Sequence, residues 1–354
     1  QVKIVTGDTS GTAKEIGRQI GLWNEKDTDK NILTGTEFAA MTDDELLNRV
    51  EDVKILSRAR PNDKERLVRL LQKRGLVVAA TGDGTNDAPA LNVADVGLSM
   101  GDGTAVAKEA SDMTIQDNSF STIANAVMWG RSLYKNIQRF LLFQLTVNVT
   151  ACFLVLVGAF MGTQSPLTVT QMLWINLIMD TFAAIALASL PPSKSVMNDK
   201  PRDRKASILS DSMRKEILGV GFFFFFLLVA MLFVFEHGDY TSMRDLLNLY
   251  IGERDSLTTY ELTLLFTTFV MTHFFYLFNA RAFETGKSAL HFKGCQGLLA
   301  IIAVVFLGQI AMVEIPFLQD FFNVCGLKFE DWIIIIIGSS LVLWVREIWH
   351  LITK

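Results

Sequence analysis

The chain has 354 residues, half of them hydrophobic and only 20% charged. That balance, with a positive mean hydropathy, argues against an ordinary soluble domain of this size and predicts membrane spans. A net charge of −4 argues against a nucleic-acid partner, and three widely separated cysteines (Cys152, Cys295, Cys325) point to neither a disulfide framework nor a metal cluster.

Gln1 leads directly into Val2–Val5 with no signal peptide before it, so the chain is expected to begin inside a domain. Further strand-like apolar runs follow at Val53–Leu56, Leu76–Ala80, Val96–Leu98 and Met113–Ile115. Helical patterns over Ser10–Ile20, Asp63–Lys73 and Thr104–Ala110 separate them. Alternating strands and helices predict a Rossmann-like α/β fold with a parallel, doubly wound sheet and ligands at the strands' carboxyl ends. Thr6-Gly7-Asp8 ends the first run. Lys64 opens the helix after Arg58-Ala59-Arg60-Pro61, where a helix N-terminus and an ammonium can share an anionic ligand.

The richest stretch is Thr81-Gly82-Asp83-Gly84-Thr85-Asn86-Asp87-Ala88-Pro89-Ala90-Leu91. It follows Leu76–Ala80, which reads as a buried parallel strand, and leads into a short helix at about Ala88. Asp83 and Asp87, set among glycines at a strand's carboxyl end, suit a hard cation such as Mg2+ held against a phosphate. Gly82 and Gly84 permit the tight turn and close backbone approach of a phosphate site. Asp102, between Gly101 and Gly103, is expected to serve a plain turn.

From Ser119 to Arg139 the pattern is one amphipathic helix, which runs without a breaker into the apolar Phe140–Phe160. Five more hydrophobic stretches follow: Leu167–Leu190, Ile217–Phe235, Leu262–Phe278, Leu298–Phe317, and Trp332–Leu343 extending to about Ile352. Their lengths predict six membrane-spanning helices. The expected organisation is therefore an α/β segment over 1–118, a connecting stalk helix over 119–139 and a six-helix membrane domain over 140–354.

Basic residues fall on alternate connections. Arg131, Lys135 and Arg139 precede the first span; Lys194, Lys200, Arg202, Arg204, Lys205, Arg214 and Lys215 lie between the second and third; Arg281, Lys287 and Lys293 follow the fourth. By the positive-inside rule the α/β segment and both chain ends are expected in the cytoplasm of a multi-pass membrane protein.

Within the spans, Asn176 and Asp180 are four residues apart and are expected to share a helical face, with Asn148 at comparable depth. A carboxylate in hydrocarbon is a functional candidate by default, here on an ion path. Three side-chain donors do not complete the 6–8 oxygen shell of Ca2+, so carbonyls or further spans are expected to add to it. His273 is expected to pack, Glu314 to lie near an interface, and Phe222–Phe226 to face lipid.

The segment from Thr6-Gly7-Asp8, through Arg58-Ala59-Arg60-Pro61 and Lys64, to Thr81–Leu91 resembles the C-terminal half of the phosphorylation domain of P-type ATPases. The six spans are similar to the last six of that family's ten. Asn148 in Thr146-Val147-Asn148-Val149, and Trp174-Ile175-Asn176-Leu177-Ile178-Met179-Asp180, resemble the plasma-membrane type of calcium pump. The resemblance covers essentially the whole chain and implies a haloacid-dehalogenase-like fold.

It also implies roles. Asp83 would bind the catalytic Mg2+, Asn86 and Asp87 would order the phosphate site, and Thr6 and Lys64 would contact the transferred phosphoryl group. Gly7 and Asp8 would shape the nucleotide side, Arg58 would reach towards ATP, and Asn148, Asn176 and Asp180 would bind Ca2+. Ala151 and Met179 stand where the reticulum type has oxygen-bearing side chains, which implies one Ca2+ per cycle; His273 stays unassigned. The chain contains no Asp-Lys-Thr-Gly-Thr string to accept the phosphoryl group, and no actuator or Pro-Glu-Gly-Leu segment. It is therefore expected to be the C-terminal part of an ATP-driven Ca2+ exporter in the plasma membrane or a bacterial inner membrane, inactive without the N-terminal pump domains. Two other readings are a membrane-anchored Mg2+- or phosphate-binding regulatory module, and a pump for another cation.

Overall fold

Two three-stranded parallel sheets, rather than one continuous sheet, carry the α/β part of the chain. The computed structural model describes residues 1–203, 205–247, 256–292 and 296–352. Arg204, Lys293 and Cys295, named above, lie outside the described residues. Two compact units are present, residues 1–127 with 198–206, and residues 128–197 with 207–354.

In the first unit, β1 (Ile4–Val5), β2 (Ile32–Thr34) and β3 (Ile55–Ser57) form one sheet in the order β1-β3-β2, with Ile4 and Ile32 both in register with Ile55. A second sheet holds β4 (Ala79–Gly82), β5 (Val96–Met100) and β6 (Met113–Ile115) in chain order. Among the described residues β1 and β4 each have a hydrogen-bonded neighbour on one side only. The helices are α1 (Ser10–Gln19), α2 (Gly35–Ala40), α3 (Asp43–Leu47), α4 (Pro61–Lys73), α5 (Ala88–Val93) and α6 (Ala105–Glu109). Leu33, Phe38, Leu46, Leu56 and Leu70 form the main core, and Leu98, Ile115 and Ile123 a smaller one.

β2, α2 and α3 were not expected from periodicity, because each is too short to show any. Their signal lies in the caps: Thr34 with Glu37, and Thr42 with Glu45, each form a reciprocal capping box. The expected strand at Leu76–Ala80 needs correcting. α4 ends in a left-handed Gly75 (φ 82°), and Leu76 N–H closes back on the Leu71 carbonyl, so Leu76 belongs to the helix cap. The strand starts only at Ala79, and Val77 is 61% exposed rather than buried.

The second unit is a helical bundle. α7 (Phe120–Met161) runs unbroken for 42 residues from the first unit into the bundle. The second span is composite: α8 (Val169–Leu173), a π-helical stretch Trp174–Met179, and α9 (Asp180–Ala188). Then come α10 (Asp211–Glu236), α11 (Thr259–Ala282), α12 (Gln296–Glu314), α13 (Pro316–Phe322) and α14 (Phe329–Ile352). Six of these helical segments are long and apolar enough to cross a membrane. α11 is the centre, buried along almost its whole length.

Two further expectations change. The fifth span stops at Glu314, because Pro316 cannot continue the helix and begins α13 instead. The phenylalanine run is not all turned outward: Phe224 and Phe225 are buried while Phe223 and Phe226 are exposed, as a 3.6-residue repeat requires. At one end of the bundle α7 holds two loops. Arg131 and Asn136 donate to the carbonyls of Val196 and Leu190, and Gln138 to Ile208. Lys135 pairs with Glu284 at 3.3 Å. At the other end Asp331 accepts from Ser242 Oγ and Met243 N–H.

A pH dependence follows from the ion pair that ties α3 to α4. Arg66 donates to Asp43 at 2.7 Å and to the Phe38 and Met41 carbonyls. That guanidinium, and then Lys73, hold the Asp43 carboxyl below the usual carboxylate range. A depressed folded value stabilises the fold above the ordinary carboxylate pKa and loses that contribution as pH falls through the depressed value. Asp43→Asn should therefore lower the thermal unfolding temperature at neutral pH, with the gap to the parent chain closing in acid. A gap that stays constant down the acid limb of a circular-dichroism melt series would remove this pair from the account.

Candidate functional site

The carboxyl ends of β1, β3 and β4 meet through a short set of polar contacts in the first unit. Thr6 N–H bonds to the Leu56 carbonyl, and after the strands end Arg58 N–H and Ala59 N–H bond back to Asp8 and Thr6 carbonyls. Within the Thr6-Gly7-Asp8 loop, Thr6 Oγ1 donates to Asp8 Oδ2 at 2.9 Å and accepts from Asp8 N–H. Arg58 takes a left-handed backbone (φ 48°), an uncommon conformation for a non-glycine residue. The turn it makes sets the start of α4, where Asp63 Oδ2 accepts from Arg60 N–H. One residue further on, Lys64 reaches across to the second sheet.

Lys64 Nζ lies 2.6 Å from Asp87 Oδ1, with both side chains mostly buried. The other Asp87 oxygen accepts from the N–H groups of Asp83 and Gly84, so Asp87 closes the Gly82–Asp87 loop. Gly82 is required here, since an added Cβ would overlap the Asp87 side chain. The Asp83 carbonyl in turn accepts from Thr104 N–H at 2.8 Å. Asp83 itself is exposed, and its carboxylate makes no hydrogen bond among the described residues; Asn86 is likewise exposed. Asp102 is held by Asn118 in a turn, as expected.

Thr6, Gly7, Asp8, Arg58, Asp83, Asn86 and Asp87 sit on loops at the strand ends, and Lys64 in the first turn of α4, and the Lys64–Asp87 contact brings the two groups of loops together. Lys64, however, is already paired with Asp87 rather than free. Among the described residues no cluster of three or more His, Cys, Asp or Glu is placed to hold a metal. A free carboxylate at a strand end still fits Mg2+, which is commonly bound through one or two carboxylates, waters and substrate phosphate.

In the bundle, Asp180 is 3% exposed, and neither carboxylate oxygen has a hydrogen-bond partner among the described residues. Gln144 on α7 lies beside it. Sequence reading missed Gln144, although it sits four residues before Asn148 and so on nearly the same face. Asn148 is half-buried. Asn176 is exposed, so the pair expected on one face differs sharply in burial. The π-helical stretch that carries Asn176 leads directly into Asp180, and such wide turns interrupt the regular backbone ladder and recur at functional sites. Ala151 and Met179 are buried. His273 is fully buried, with Nδ1 at 2.7 Å from the Phe269 carbonyl and its ring between Phe224 and Phe269.

Comparison with known proteins agrees with both halves. Residues 164–352 match the family described as cation transporting ATPase, C-terminus, and residues 64–127 match haloacid dehalogenase-like hydrolase. The chain is 38% identical over 337 residues to calcium-transporting ATPase 12, plasma membrane-type, of Arabidopsis thaliana, covering 94% of this chain and 31% of that protein. It is 39% identical over 349 residues to calcium-transporting ATPase 5, plasma membrane-type, of Oryza sativa subsp. japonica, covering 97% and 31%. The chain thus spans about a third of the length of these relatives.

The Gly82–Asp87 overlap gives a double-mutant test. Gly82→Ala should destabilise the first unit by roughly 1–3 kcal/mol, the usual cost of forcing an extra methyl into a packed place. In an Asp87→Gly background the same change should cost much less, since residues in contact are not additive. Thermal unfolding of the four variants measures the coupling, and strict additivity would show that the contact is not there.

Proposed function

The chain belongs to the cation-transporting ATPase family, and on that premise we propose that it is the C-terminal part of an ATP-driven Ca2+ export pump working through an aspartyl-phosphate cycle. The observation that carries this reading is Asp180, a buried carboxylate in the middle of an apolar bundle that meets no cation among the described residues, the Gln144 amide being the neutral donor beside it. Such a group is expensive unless a cation or proton compensates it. Gln144 and Asn148 on α7, and Asn176 before Asp180, would add oxygen ligands. Asn176 and Asn148 are open enough for spans from the rest of the protein to complete the Ca2+ shell, and this donor set suits one ion.

In the α/β unit, Mg2+ held by Asp83 would neutralise charge on the transferred phosphoryl group, and positioning with charge stabilisation is most of what phosphoryl transfer needs. Asp87 holds the Asp83 loop in place through its N–H contacts and keeps the Lys64 ammonium oriented. Lys64 and Thr6 would donate to phosphoryl oxygens, with Asn86 ordering the site. Gly7 and Asp8 would shape the nucleotide side, and Arg58 would reach ATP. The open edges of β1 and β4 suit a strand carrying the acceptor aspartate, supplied by the part of the pump that the relatives have and this segment does not. The basic loops flanking α7, α9 and α11 favour a cytoplasmic α/β unit.

In the full-length pump, Asp180→Asn should abolish Ca2+-dependent phosphorylation from ATP, while Asp83→Asn should lower Mg2+-dependent phosphoenzyme formation at any Ca2+ concentration. Radiolabelled phosphoenzyme measured across a Ca2+ series separates the two. Unchanged Ca2+ dependence in Asp180→Asn would sink the ion assignment.

A further inference from the structure

A second group of buried polar atoms lies in the bundle beyond the residues used above. Gln309 on α12 is 1% exposed, and neither its amide nitrogen nor its amide oxygen has a partner among the described residues. Thr267 Oγ1 on α11 and Trp174 Nε1 in the π-helical stretch are in the same state. A buried polar group left unmet is destabilising. Three of them in one apolar bundle point to a partner that the protein atoms do not provide.

Their placement is directional. Val305, four residues before Gln309 on the same stripe of α12, meets Met179 and Ala183 of the second span and Phe274 of α11 around a small cavity lined by apolar side chains alone, so the polar groups leave off at Gln309. One turn on, a Cβ at Gly308 would lie 3.0 Å from the Trp174 ring, so Trp174 packs against α12 beside Gln309. Phe274 and Phe306 touch at 5.6 Å between centroids and set the register of antiparallel α11 and α12. Thr267 lies two turns from Phe274 in the direction that Gln309 lies from Phe306.

The same direction leads out of the bundle. Gln171, one turn before Trp174, donates to the Phe322 carbonyl at 3.2 Å. Thr263, one turn before Thr267, accepts from Cys325 N–H at 3.1 Å. The polar stripe thus starts at Trp174 on the second span and ends on the backbone of residues 322–325. There, Glu314 accepts from Trp332 Nε1 at 2.7 Å. Amides, a hydroxyl and an indole N–H are neutral. They suit hydrogen-bonded water, which buries itself where it finds two to four polar partners, and would leave a bare divalent cation uncompensated.

We propose that Gln309, Thr267 and Trp174 line a water-filled path that opens at the loop of residues 322–325 and ends at Gln309, short of the apolar cavity. The path enters from the end of the bundle opposite the basic loops, and lies on a different side of the second span from the exposed Asn176. Its use by a pump rests on the reading of Asp180 as an ion site; its hydration does not.

The test is cysteine accessibility in the full-length protein, in membranes, with Cys152, Cys295 and Cys325 replaced except where Cys325 is kept as the reference for the mouth. Gln309→Cys and Thr267→Cys should react with a small, charged, membrane-impermeant thiosulfonate added from the Cys325 side, and Ile302→Cys, deeper on the same stripe, should not. Unreactive cysteines at 309 and 267 in a preparation whose Cys325 reacts would overturn the path. Should Gln309→Cys fail to accumulate, the smaller change Thr267→Cys carries the same decision. Labelling reads hydration alone, and the phosphorylation of Asp180→Asn reads the ion site, so either proposal can fail without the other.

Discussion

The Lys64–Asp87 contact is what makes one site out of two sheets. β1 and β3 belong to one sheet and β4 to the other, and no ladder hydrogen bond joins the sheets among the described residues. A mostly buried ammonium–carboxylate pair at 2.6 Å connects α4, which follows β3, with the loop that follows β4. Such a pair is weak evidence for net stability, because desolvation offsets much of the attraction. Its removal on one side only is a different matter, since the remaining charge is left buried. The geometry is therefore specific: Lys64 faces Asp87, Asp87 closes the Asp83–Gly84 turn, and Asp83 is left pointing outward with its carboxylate free.

The bundle obeys the opposite economy. In the α/β unit Lys64 and Asp87 answer each other; in the bundle Asp180 meets no cation among the described residues. The polar groups at the two ends, Lys135 with Glu284 and Asp331 with Ser242, are matched, and they fix the loops. Among the described residues, unmatched ones lie along the second span at Trp174 and Asp180, on α11 and α12 at Thr267 and Gln309, and also on α14 at Arg346 and His350. Matched polar groups hold a membrane bundle together, whereas unmatched ones mark where something other than protein belongs.

Much of this was legible in the sequence, for reasons that differ by element. The six spans announce themselves by length and apolarity, and the loop from Thr81 to Leu91 by its glycines and carboxylates. The missed elements β2, α2 and α3 are too short for periodicity and are set by Thr–Glu capping boxes, which a pattern search for apolar residues passes over. The strand at Leu76 was misplaced because a glycine cap takes Leu76 into the helix end, a backbone event invisible to hydropathy. Gln144, Thr267 and Gln309 were legible as polar letters in apolar runs. Their state was not, because being buried without a partner depends on which helices surround them.

The open sides of β1 and β4 have a consequence for assembly. A strand with one unpaired edge offers a row of N–H and C=O groups that binds any extended segment by main chain alone. Such edges act as addresses read by backbone rather than by side chain. Extended segments of different sequence meet such an edge on equal chemical terms, so proximity rather than side-chain identity selects what covers it.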